Sequence, residues 1–72
     1  MESYLFRIIG PNIDEYPNKH CKDNDAALDL ALNIVARYPL NTKISVYHVI
    51  DVDGREHKQY IGMVEHVVRR TL

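Results

Sequence analysis

A single cysteine, Cys21, stands among 72 residues that include no tryptophan, only three glycines and only three prolines. One cysteine excludes an intrachain disulfide. That matters for so short a chain, which buries only about 60% of the surface its unfolded form exposes. Such a core leaves roughly 3–5 kcal/mol of net stability unless something else contributes. A partner subunit is the simplest remaining helper, so a homodimer is one expectation. An excess of either charge is missing too: the net charge is −1 and the isoelectric point is near 6.4. This argues against general nucleic-acid binding, because affinity for the phosphate backbone needs many lysines or arginines. It argues equally against an acidic mimic of DNA. No stretch approaches the roughly 20 apolar residues of a membrane span. The N-terminal MESYLFRIIG carries an acid and has no long apolar segment of the signal-peptide kind. A soluble, cytoplasmic protein of one domain, 1–72, without membrane partners, is the expectation. At 46% hydrophobic and 26% charged residues, the composition is that of an ordinary folded domain.

Tyr4 to Ile9 is rich in aromatic and β-branched residues and predicts a strand, ended by Gly10-Pro11-Asn12. Asn18 to Lys22 predicts a short second strand at an edge, where Lys19 and Lys22 discourage further pairing. Asp23, Asn24 and Asp25 precede the periodic segment AALDLALNIVARY, a helix with an acidic, cap-forming start. Pro39 sets its far limit. Asp29, Asn33 and Arg37 recur every four residues as a polar stripe. Leu28, Leu30, Ala31, Leu32, Ile34, Val35 and Tyr38 form an apolar arc wider than one sheet face requires, which hints at a second contact.

Ile44 to Val52 and Arg55 to Val64 predict a hairpin around Asp53-Gly54, a preferred type I′ pair. A two-residue loop sets Ile50 against His57, His48 against Gln59, Val46 against Ile61 and Ile44 against Met63. The apolar set then gathers on one face, whereas a three-residue loop scatters it. The opposite face carries Tyr47 against Tyr60, Val49 against Lys58 and Asp51 against Glu56, with Val64 beyond. The fold class is therefore α+β. A three- to four-stranded, mainly antiparallel sheet carries one helix on one face in the order β-(β)-α-β-β. With strand one central, Leu5 and Ile9 extend the helix-free face. Tyr47, Tyr60, Val49, Lys58, Leu5 and Ile9 are the expected protein-binding residues, since tyrosine supplies large rigid area with a polar tip.

Catalytic and metal chemistry finds little support. His20 and Cys21 are neighbours on a strand and point to opposite sides, so Cys21 reads as a small buried hydrophobe. His48 and His57 share a face, but the spacings that zinc sites use are missing. Asp51, Asp53 and Glu56 belong to the turn and lack the ligand ladder of a calcium loop. No catalytic residue, metal or cofactor is assigned, and an enzyme is not expected.

At CKDNDAALDLALNI, with a strand before and a hairpin after, the chain resembles small single-helix proteins of phages and mobile elements. Several anti-CRISPR proteins and a phage-encoded inhibitor of bacterial RNA polymerase are among them. The likeness is one of shape, from about Ser3 to Val64, in a strand–D-x-x-A-A–helix–strand cadence, and it transfers no residue roles. It implies action by occupying a surface of a host protein complex or enzyme. The alternatives are a self-associating homodimer, through the outer sheet face or the helix arc, and a weak nucleic-acid binder using Lys19, Lys22, Arg69 and Arg70 with the tyrosines.

Overall fold

A computed structural model describes residues 1–67 of the chain. Its element order is β1 (Glu2–Gly10), β2 (Ile13–Glu15), β3 (Asn18–Cys21), α1 (Asn24–Val35), β4 (Lys43–Val52) and β5 (Arg55–Glu65). All pairings are antiparallel. The architecture is the expected α+β one, with a helix on one face of the sheet. The sheet has five strands rather than three or four, but β2 and β3 share the same side of β1. β2 pairs with Ile8 to Gly10 and β3 with Glu2 to Leu5. Between them Pro17 interrupts the strand, yet its carbonyl still accepts from the Phe6 N–H at 3.0 Å. The extra strand β2 arises because Asn12 adopts a positive φ of 62° and folds the chain straight back on β1.

Strict alternation in β1 and β4 builds the core. Tyr4, Phe6 and Ile8 from β1 and Ile44 and Val46 from β4 are buried beneath the helix. The helix answers with Ala27, Ala31 and Val35, four residues apart, whose small central side chains let the backbone approach the sheet. Asp23 is the N-cap, and its Oδ1 accepts from the Ala26 N–H at 2.9 Å. The helix closes at Val35, before Pro39 exerts its effect, through two tight turns: Arg37 N–H to the Ile34 carbonyl and Tyr38 N–H to the Val35 carbonyl. Two tyrosines tie its ends to the sheet. The Tyr4 hydroxyl donates to Asn24 Oδ1 at 2.8 Å, and the Tyr38 hydroxyl donates to Glu15 Oε1 at 2.6 Å. The wide apolar arc is mostly consumed by this packing, since Leu28, Leu30, Ile34 and Tyr38 lie against the core. Of that arc Leu32 alone stays largely open, at 53% exposure. The arc therefore offers no second apolar face.

The hairpin turns through Asp53 (φ 52°) and Gly54 (φ 78°), the two positive values that a type I′ turn needs. The predicted register holds from Val52–Arg55 to Tyr47–Tyr60 and then shifts. Val46 faces Gly62 rather than Ile61, and Ile44 faces Val64 rather than Met63, because Ile61 is an extra, bulged residue. Two assignments therefore exchange: Val64 packs against the core, and Met63, at 47% exposure, joins the outer face. Leu28 supplies the reason. A Cβ on Gly62 would stand 2.9 Å from Leu28 Cδ2, so the helix settles only where the strand presents glycine. Beyond Val49, β4 has lost its β1 neighbour, and every residue from Ile50 to Tyr60 is exposed. The hairpin thus overhangs a molecule measuring 51 × 25 × 15 Å. No described helix is long and apolar enough to cross a membrane.

Replacing Gly62→Ala should cost about 1–3 kcal/mol in urea denaturation, the usual range for overfilling a packed site. In a Leu28→Ala background the same step should cost less than half as much. An equal cost in both backgrounds would sink the account of the bulge.

Candidate functional site

The helix covers one side of the sheet, and no described element covers the other. The register lays that outer face out as a grid. Across its centre run Asn18, Leu5, Tyr47 and Tyr60, one from each column. The row toward the hairpin tip is His20, Ser3, Val49 and Lys58. In the opposite direction come Arg7, Ser45 and Met63, and then Asp14, Ile9, Lys43 and Glu65.

Each of the six expected contact residues stands on this one face. The Tyr47 and Tyr60 rings meet edge to face, with centroids 5.6 Å apart and planes at 62°. Tyr60 is 57% exposed and Ile9 is 37% exposed, while Leu5, Tyr47 and Val49 are half-buried by their neighbours. Lys58 Nζ lies 3.3 Å from Glu56 Oε1 on the same strand, both well exposed, and such a pair adds little stability. Val64 leaves the patch and Met63 takes its place. Arg7 is a member that the residue pattern allowed but that went unassigned: it sits two positions from Leu5 and so shares its face. Attraction to the Tyr16 hydroxyl, and after it to the Tyr47 hydroxyl, pushes the guanidinium further above its already high pKa. A cation therefore stands one row from the aromatic pair.

Apart from His20, the remaining chemistry-bearing residues lie off this face. Cys21 is buried at 6% exposure and points toward the helix, while His20 points outward with Ser3 Oγ 3.5 Å from its Nδ1. Burial, followed by the charge of Asp23, raises the Cys21 thiol pKa. His48 stacks on Tyr4 at 5.0 Å, and its Nε2 lies 3.5 Å from Glu2 Oε2. His57 is exposed on the overhang, two rungs from His48 along the ladder. Among the described residues no group of three histidines, cysteines or carboxylates is placed to hold a metal ion. Lys19 faces the helix side, opposite Tyr4, and Lys22 lines a cleft of about 340 Å³ beside Asp23 and Asp25. The sheet thus separates Lys19 from the tyrosines it was expected to assist. Arg69 and Arg70 lie outside the described residues. A second cleft, of about 520 Å³, runs between Lys19 and Arg37, but its carboxylate, Glu15, is engaged by Tyr38.

Compared with protein-family models, curated proteins and solved structures, the chain matches none. The geometry of the outer face is therefore the ground on which function is argued.

The Tyr4 and Tyr38 hydroxyls and the Cys21 thiol set an alkaline limit. Burial first, then Glu2 and Asp23, raises Tyr4; the bond to Glu15 first, then burial, raises Tyr38. These groups hold their protons more tightly in the fold than in the unfolded chain. Their stabilisation is complete below the ordinary thiol value of 9.0 and is lost as pH climbs toward the raised folded values. The urea midpoint should stay level up to about pH 8 and fall above about pH 9. Cys21→Ala should delay the fall toward the tyrosine range. An unchanged onset in that variant would refute the assignment to the thiol.

Proposed function

We propose that this chain is a non-enzymatic protein-binding module of the kind that phages and mobile elements use as inhibitors. In this reading it acts in the cytoplasm of a bacterial host and blocks a surface of a host protein complex with its outer sheet face. The observation that carries the reading is the coincidence of Leu5, Tyr47, Val49, Tyr60 and Met63 on one face that no described element covers. Contiguous apolar and aromatic surface of this sort marks interaction sites on small soluble proteins. Tyrosine also brings large contact area at low cost in side-chain entropy.

Charge favours a protein partner over a nucleic acid. Arg7, Lys43 and Lys58 on this face are offset by Asp14, Glu56 and Glu65, and the whole chain carries −1. A phosphate-tracking surface needs a surplus of cations. The ionisable groups lie mainly toward the ends of the face, as in protein contacts with an apolar centre and a polar rim.

The test is affinity capture from bacterial lysate with a tagged chain, beside a Tyr47→Asp/Tyr60→Asp variant. The variant loses a cross-strand pair of about 0.2–1 kcal/mol and sets two carboxylates opposite each other, so circular dichroism must show it folded, with Tyr60→Asp alone as the second variant. One large host assembly should be retained by the parent and lost by the variant. Retention by both would remove the outer face from the contact. Capture of nucleic acid that falls steeply between about 50 and 200 mM salt would replace this reading with a phosphate-binding one.

A further inference from the structure

We infer that the outer sheet face also pairs with a second copy of the chain, in one defined orientation, to form a weak two-fold dimer. The inference rests on the reading of this face as a contact surface and names an additional occupant for it. Two sheets stacked face to face about a two-fold axis in the contact plane have two simple arrangements. With the axis along the strands, rows are kept and columns exchange. Glu65 then meets Asp14 of the other copy, and Lys58 meets His20, so the carboxylates are set against each other. With the axis across the strands, columns are kept and rows exchange. Lys58 then meets Glu65, and His20 meets Asp14, at each end of the contact.

Charge makes the choice, because keeping rows also sets large against small, Val49 on Ser3 and Arg7 on Ser45. Exchanging rows sets Tyr47 against Ser45 and Ile9 against Ser3, large against small, and lays the Arg7 and Lys43 stems along Leu5 and Val49. It also brings Tyr60 against Met63, a favourable sulfur–aromatic pairing. Stacked sheets cross at about 30° through their own twist, an offset that a long lysine side chain spans. Like charges brought together across an interface cost several kcal/mol, so the first arrangement is rejected.

The face is small. Four strands about 4.8 Å apart, over about seven residues at about 3.3 Å, project roughly 450 Å² per copy. The pair therefore contributes roughly 900 Å², below the class of permanent interfaces and within that of transient ones. A dimer that dissociates on dilution follows, and it leaves the face free for another partner at low concentration.

Sedimentation velocity on the purified chain between about 1 and 300 µM tests this, with Lys58→Glu and Glu65→Lys as variants. The parent should shift from monomer to dimer across that range. Each variant alone places like charges at both ends of the contact and should weaken association about tenfold or more. An equimolar mixture of the two restores both opposite-charge pairs, so its association should return to within about threefold of the parent. A parent that stays monomeric at 300 µM would overturn the proposal. So would variants that dimerise like the parent, or a mixture no better than its components. Melting curves check that each variant is folded. Because the dimer is read with no partner present, and host capture is read at nanomolar bait, either reading can fail while the other stands.

Discussion

One helix of twelve residues can cover only one side of a sheet four columns wide, and most of the molecule follows from that inequality. On the covered side the packing is close. Ala27 and Ala31 bring the helix down, and Gly62 makes room for Leu28. On the other side no described element lies against the sheet, yet the strands still carry leucine, isoleucine, valine, methionine and tyrosine. A chain that needs only a solvated second face places polar residues there. This one does so mainly at the ends of the face, while Leu5, Tyr47, Tyr60 and Met63 hold its middle beside Arg7 and Ser45.

Much of the fold was legible because its signals are local. Asp53-Gly54 announces a type I′ turn by chemistry alone, and the two positive φ values follow. Asp23 caps the helix as its side chain permits. Alternation in Tyr4, Phe6 and Ile8 marks the buried face of β1 without any tertiary information. The positions of Leu5, Tyr47, Val49 and Tyr60 on one face follow from the same alternation, once the two-residue loop is chosen.

What escaped the sequence is what tertiary contact decides. The bulge at Ile61 results from a helix side chain arriving above Gly62, and periodicity within β5 carries no trace of that meeting. Beyond it every side chain changes sides, which is why Met63 and Val64 exchange places. β2 escaped for a related reason. Ile13 to Glu15 is too short and polar to read as a strand, and it pairs only because β1 extends far enough to receive it. Arg7 escaped because a charged residue between two apolar neighbours reads as a gap in a patch. Here it is the cation between Tyr16 and Tyr47.

The overhanging hairpin divides the chain into two regimes of cooperativity. Up to Val49, β4 is held by neighbours on both sides and by the helix above, so its amides open only when most of the domain opens. Past Val49 the ladder continues with a single partner, and an isolated two-stranded ribbon is marginal in water. Amide exchange should therefore step up within two or three residues along one continuous strand, from protected at Val46 to fast at Val52. The tip can fray and reform while the core stays shut, so the Asp53-Gly54 turn is a place where added chain, a label or a tether, leaves both the buried face and the tyrosine face as they are.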